Sequence, residues 1–408
     1  MHKKFFLNKK IIQIYILLMP FISAFALSPW LPLPLVFMMF ISIYVVFSYQ
    51  LKILTEDWEI FLLIILGILA FIFSSSYFGN KNINHTAAIL NSVFFFYIVP
   101  RSLLIKFKSI SLLGSIIAIS LAIVSAFVIF EYIGSNYLGI NFLNLIPYTR
   151  SDLGDALVVG TYIRPRGFAE EAGHMALFYE MSLPLSFLYF KNKRFILQLC
   201  YYIPVCTSFI LLFSSAAFIA INVALMTFLW LTSSSKKSFV LLAAMIFIFV
   251  FVMISDVTKP FVEGTLGVRL AAVLNPSEQY NSSASDRFER YQNTWAIFTS
   301  VPLGIGWGMS SQLAFDSEQF AGVTFQKAGF VSLYAEILIA CGLPGLILFI
   351  NFLAKKIIRL ARSSSFESQM VFLSTFSLSL HYIFISNYWF PMLWFSLALA
   401  ATVIKAEN

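Results

Sequence analysis

Apolar stretches long enough to cross a bilayer recur along the whole chain, and they limit what it can become. A hydrocarbon core about 30 Å thick takes about 20 apolar residues per helix. Such stretches run at 11–27, 31–49, 60–77, 86–104, 109–133, 172–190, 195–213, 216–232, 239–255, 329–353, 369–385 and 388–404. Of the 408 residues, 60% are hydrophobic and 11% charged, against about 25% charged in a soluble domain. A soluble globule has too little interior to hide that much apolar surface. Soluble enzymes, nucleic-acid binders and disordered scaffolds are thereby excluded. The pattern predicts an all-α polytopic membrane protein of about twelve transmembrane helices, one integral membrane domain over 1–408.

A net charge of +8 would suggest nucleic acid in a soluble chain, but here its placement reads as topology. Lys3, Lys4, Lys9, Lys10, Lys52, Arg101, Lys106, Lys108, Lys191, Lys193, Arg194, Lys236, Lys237, Lys355, Lys356, Arg359, Arg362 and Lys405 fall at alternate ends of the spans. The positive-inside rule puts those ends in the cytoplasm, with both termini there and the chain in a bacterial inner membrane. The clusters at 191–194 and 236–237 share a face only if an even number of spans separates them. The run 195–232 therefore breaks at Ser214-Ser215, and 369–404 breaks similarly at Ser386-Asn387. Pro20 and the bulky 28–34 region make a poor signal-peptide cleavage site. Cys200, Cys206 and Cys341 lie inside apolar runs without paired spacing, which predicts neither a disulfide framework nor a zinc site. No metal or cofactor is expected.

Two long outside loops, 134–171 and 256–328, stand apart from the short connections elsewhere. Loops of that length are uncommon unless functional, and loops on a rigid scaffold are where chemistry usually resides. The first ends in Arg164-Pro165-Arg166-Gly167-Phe168-Ala169-Glu170-Glu171-Ala172-Gly173-His174. Glu170 and Glu171 are expected in the first turn of the next helix, where the dipole favours carboxylates. Glu170 and His174, four apart, would share a helix face. An interfacial cap is the plainer reading of the acids, but two arginines on the outer side run against the positive-inside rule.

The second loop holds Arg287 and Arg290 on the polar side of an amphipathic interfacial helix whose apolar side is Phe288, Tyr291, Trp295 and Phe298. Anchoring to anionic headgroups is the plainer reading there. Pro302-Leu303-Gly304-Ile305-Gly306-Trp307-Gly308 follows, with glycines that permit tight turns near a ligand and no phosphate-loop Lys-Ser/Thr. Arginine offers an always charged fork that grips phosphate oxygens bidentately. Cleaving a sugar–pyrophosphate bond develops negative charge that such arginines stabilise without a metal. A Glu or His nearby would take the proton of the attacking hydroxyl.

The Arg164-x-x-Gly167-Phe168…Glu170 segment, the Ser285-x-Arg287…Trp295…Pro302-x-Gly304-x-Gly306 run, and Gly329-Phe330-Val331-Ser332-Leu333-Tyr334-Ala335-Glu336 with Gly342-Leu343-Pro344-Gly345-Leu346 resemble the loop signatures of the O-antigen polymerase and ligase superfamily. The resemblance implies a C-type (GT-C) membrane glycosyltransferase acting on undecaprenyl-pyrophosphate-linked glycans. Membrane lipid, a chain-length regulator and a flippase are its implied partners. Ligases of this superfamily carry a His before the helix after the large loop. Gln326-Lys327-Ala328-Gly329-Phe330 has none, which favours polymerase.

Arg164 and Arg287 are then the leading pyrophosphate ligands, with Arg166 and Arg290 supporting. Glu170 is the first choice for the base, His174 the second, and Glu336 a buried partner that holds an arginine in place. A lipid-linked oligosaccharide flippase is the non-enzyme rival. It would place polar residues near the midplane and show paired interrupted helices. An intramembrane protease is disfavoured, because Glu171-x-x-His174 lacks a second His at metal-binding spacing.

Overall fold

The computed structural model describes residues 2–28, 31–48, 51–74, 81–107, 109–148, 158–159, 162–232, 283–307 and 332–407. The expected span at 239–255, residues 149–157 of the first loop, and residues 256–282 and 308–328 of the second lie outside the described residues. In chain order the helices are α1 (His2–Leu18), α2 (Leu33–Phe47), α3 (Trp58–Ser74), α4 (Lys81–Asn91), α5 (Val99–Leu104), α6 (Gly114–Tyr137), α7 (Phe142–Leu145), α8 (Ala172–Phe190), α9 (Phe195–Leu211), α10 (Ser215–Thr232), α11 (Ser283–Ser300), α12 (Leu333–Arg362), α13 (Phe366–His381) and α14 (Pro391–Glu407). A two-stranded antiparallel pair, β1 (Val158–Val159) and β2 (Tyr162–Ile163), sits in the first loop. Three continuous helical stretches, Asn84–Leu104, Ile110–Tyr137 and Leu333–Arg362, are long and apolar enough to cross a membrane. The chain is an all-α membrane protein.

Local sequence accounts for the breaks. Between α4 and α5 the ladder runs as a π-helix over Ser92–Ile98. Pro100 has no N–H to give and its ring crowds the carbonyl four residues back, so the register shifts and the Val99 amide bonds Phe94 instead. Between α9 and α10 the chain turns at Leu212–Ser214, with Phe213 at φ 50°. α12 unwinds at Gly342 (φ 67°), two residues before Pro344.

The first helix lies earlier than the expected 11–27. α1 covers His2–Leu18 because Pro20 ends it, and its lysines ride within the helix, Lys10 over the Phe6 ring at 4.7 Å. Long lysine stems let the charge reach water from an apolar helix, a freedom that apolar counting overlooks.

α8, α13 and α14 are buried along most of their lengths, whereas Phe40, Phe47, Phe73, Phe195 and Trp230 point outward, as suits a lipid-facing shell. At one end of the bundle polar contacts tie the turns together. Asp57 binds Arg101 and accepts from Tyr97 Oη at 2.8 Å. Lys355 Nζ meets Glu59 Oε1 at 2.6 Å. Glu367 accepts from Ser111 Oγ at 2.7 Å and from the Ile110 amide at 3.0 Å. Deep between α8 and α13, Glu180 Oε1 and His381 Nδ1 stand 3.1 Å apart, both side chains fully buried. The opposite end carries the loop motifs.

Candidate active site

The close of the first loop is a turn built around Glu131. This carboxylate near the end of α6 is buried, and its Oε2 accepts the amides of Arg166 (3.1 Å) and Gly167 (2.8 Å). Gly167 adopts φ 61°, a conformation that costs any residue with a Cβ. Tyr148 Oη donates to the Gly167 carbonyl at 2.6 Å. Burial pushes the Tyr148 phenol well above its ordinary pKa, so it stays a neutral donor. The Phe168 ring stacks between Phe21 and Phe127 with centroids 4.5 and 4.4 Å away, and its carbonyl takes the amides of Ser23 and Ala24.

That frame buries Arg166 to 1% exposure and lays its guanidinium over the Tyr148 ring at 3.5 Å. Its terminal nitrogens, Nη1 and Nη2, have no hydrogen-bond partner of good geometry among the described residues, and its charge is met by the Tyr148 ring and the nearby Glu131 carboxylate. Buried donors left over on a charged group are costly, and they suit an anionic ligand. Arg164 is engaged differently. Its Nε and Nη2 donate to the Leu212 carbonyl at 3.3 and 3.0 Å, capping the C-terminal end of α9, where the dipole favours a cation.

The helix that follows begins two residues later than a first turn holding both acids requires. α8 starts at Ala172, with Glu171 as its extended N-cap, φ −134° and ψ 153°. Glu170 therefore precedes the helix, and the expected shared face of Glu170 and His174 does not form. The reason is that the chain is still held by the Glu131-anchored turn at Arg166–Ala169. Glu170 is half-buried; His174 is buried with its ring edge-on to Phe390 at 4.7 Å.

In the second loop the amphipathic helix is present as α11 and packs against α12. Arg290 is half-buried on it; Arg287 lies on the same helix, with its side chain outside the described residues. The glycines after it serve backbone contact rather than a free loop. The Ile305 and Gly306 amides donate to the carbonyls of Ile339 and Ala340, both at 2.9 Å, where α12 has unwound. A Cβ on Gly304 would sit 2.6 Å from the Gly342 nitrogen, and one on Gly306 2.7 Å from Phe71 Cβ. Trp307, fully buried, ends this strap over Gly67 of α3. We expect Gly304→Ala to destabilise the protein by about 1–3 kcal/mol, read as a fall in the thermal midpoint in detergent. Gly139→Ala, also at positive φ but meeting nothing within 4 Å, should cost less.

Residues 382–390, between α13 and α14, join the two motifs. The Leu333 amide at the start of α12 donates to the Tyr382 (3.0 Å) and Ile385 (2.8 Å) carbonyls. Tyr291 of α11 donates to the Ile383 carbonyl. Tyr388 Oη meets His85 Nδ1 at 3.0 Å, and its ring lies 5.3 Å from Trp307. Phe390 touches His174 of α8. This turn brings α8, the amphipathic helix α11 and the glycine strap to one place. In the sequence this turn shows only as the break at Ser386-Asn387 and the unusual Asn387-Tyr388-Trp389-Phe390 run.

Glu336 is buried, as a partner role requires, but it forms no ion pair with an arginine among the described residues. One turn into α12, it lies within electrostatic reach of Tyr388 and Cys341 instead. Among the described arginines of this end, Arg164 is held by α9 and Arg166 by Tyr148. No curated protein matches the chain. Residues 201–350, from α9 through the strap to the first half of α12, match the family model for O-antigen ligase, which supports a place in the O-antigen polymerase and ligase superfamily and a role in handling lipid-linked glycans.

Proposed function

We propose that this protein polymerises undecaprenyl-pyrophosphate-linked repeat units, transferring the growing glycan to the next lipid-linked unit on the outer face of the inner membrane. The observation that carries this reading is Arg166, whose buried, ring-stacked guanidinium keeps both terminal nitrogens without a hydrogen bond of good geometry among the described residues. A pyrophosphate supplies the oxygens such a fork is shaped to grip. In this reading Arg164, Arg287 and Arg290 supply further positive charge for the pyrophosphate. Glu170, or His174 in its place, would take the proton of the attacking hydroxyl. Charge stabilisation by fixed arginines needs no metal.

In this reading the chain spans the membrane twelve times with both termini cytoplasmic, in the manner of GT-C enzymes. The end holding Arg101, Lys355 and Arg359 faces the cytoplasm, in keeping with the positive-inside rule. A flippase delivers the substrate and a chain-length regulator acts on the product. The ligase reading is favoured by the description of the matching family; the absence of His from 326–330 favours the polymerase. Deleting the gene and resolving surface polysaccharide on gels separates them. A single repeat unit with the ladder gone supports the polymerase; long chains stranded on the polyprenyl carrier mean a ligase. Single units trapped on the cytoplasmic side mean a flippase.

A further inference from the structure

We propose that the partly open pocket beside Trp389 binds one sugar ring of the lipid-linked glycan; the assignment rests on the glycan-handling role in the reading above. Asn84, Asn91 and Phe96 line it with Trp389, and Leu31 and Leu35 add an aliphatic side. It holds about 150 Å³, on the order of ten times what one water needs, which suits a single ring with its hydroxyls. Asn84 and Asn91 stand two turns apart on α4, so they share a face. Neither side chain makes a hydrogen bond among the described residues. The Trp389 indole is braced by the rings of His85, Tyr388 and Phe390, with centroids 6.1, 5.1 and 6.0 Å away. A pyranose has C–H faces that pack on an aromatic ring and hydroxyl edges that exchange hydrogen bonds with an amide, which both donates and accepts. Apolar walls with a few polar groups are the usual lining of a small-molecule site. A lipid tail in the same space would leave both amides against hydrocarbon, which is unfavourable.

Two chain segments join this pocket to the first-loop motif. The α1–α2 connection gives the Ser23 and Ala24 amides to the Phe168 carbonyl and then runs on to Leu31 at the pocket. Trp389 directly precedes Phe390, whose ring meets that of His174 at 4.7 Å. The pocket therefore lies at the end of the bundle that carries the loop motifs, and Arg166 is not part of its lining. The π-helix over Ser92–Ile98 supplies Ser92 and Phe96 to its wall, and such register shifts are frequent at functional sites. No bond forms or breaks here. The pocket holds a ring remote from the pyrophosphate, so its contribution is binding and placement of the glycan.

The test uses the full chain in lipid nanodiscs and two probes, the repeat-unit oligosaccharide freed from its carrier and undecaprenyl phosphate without sugar. Wild type should bind the free oligosaccharide in a ligand-observed NMR titration, and Asn91→Leu should weaken that binding about tenfold. Trp389→Leu should abolish it, whereas Trp389→Phe, which keeps an aromatic face, should retain part. Ala87→Phe, at an exposed position of the pocket wall, should block the sugar with the fold intact, which keeps the test sharp if Trp389→Leu fails to fold. With the lipid-linked unit as substrate, Asn91→Leu should raise KM about tenfold with kcat changed less than about threefold. A free oligosaccharide that does not bind wild type, or that binds Ala87→Phe equally well, overturns the proposal. So does Ala87→Phe that loses undecaprenyl phosphate and keeps the sugar, which would make the pocket a lipid groove. A wild-type chain that binds the oligosaccharide yet builds no polymer overturns the polymerase reading and leaves the pocket standing, which separates the two failures.

Discussion

Arg166→Lys should abolish chain extension while leaving the protein at normal abundance in the membrane. Removing one fixed donor from a developing negative charge typically costs about 10²–10³-fold in rate, and lysine cannot restore it. A lysine brings one point charge in place of the planar fork and gives up the flat stack on Tyr148, now 3.5 Å from ring to guanidinium. The Arg166 amide bond to Glu131 is a backbone contact, so the turn itself survives the exchange. Arg164→Lys should be milder, since its described bonds go to the Leu212 carbonyl, which an ammonium also satisfies. The measurement is polymer length on gels from cells expressing each variant, with membrane abundance by immunoblot. Headgroup anchoring makes the opposite forecast, because any cation anchors; normal ladders from Arg166→Lys would favour it.

The second large effect concerns stability. Glu180 and His381 are sealed between α8 and α13 at 3.1 Å, and removing one partner strands the other in an apolar interior. Glu180→Leu should therefore destabilise by about 1–3 kcal/mol, the cost of a buried polar group left without its partner, whereas the double replacement Glu180→Leu/His381→Leu should recover most of that loss. Unfolding of all four proteins in mixed micelles gives the coupling energy directly. Costs that simply add would show that the two side chains act independently. Because His381 closes α13 just before the 382–390 turn, the single variants should also slow polymerisation, and the double should regain part of the rate.

Much of the helical plan is legible in the sequence because apolar length and charge placement act locally. α8 begins and ends at the expected 172 and 190, and the break near Ser214 follows from the basic clusters that flank it. What escapes such reading depends on partners distant in the chain. Arg164 and Arg166 are two residues apart and look equivalent in sequence; only the fold gives one to the α9 carbonyls and the other to Tyr148. Glu131 reads as a stray acid in an apolar span until the loop 35 residues later supplies two amides. Gly304 and Gly342 each read as turn formers, yet they are needed where two backbones press together. The role of Tyr388 emerges only once α4, the strap and α12 converge on it.

Reconstitution tests the central claim most directly. Purified protein in nanodiscs, supplied with one lipid-linked repeat unit and nothing else, should generate a ladder of longer lipid-linked chains, and Arg166→Lys should leave the single unit unchanged. A preparation that builds no ladder, yet moves a preformed chain from its carrier onto lipid A-core, would contradict the polymerase account.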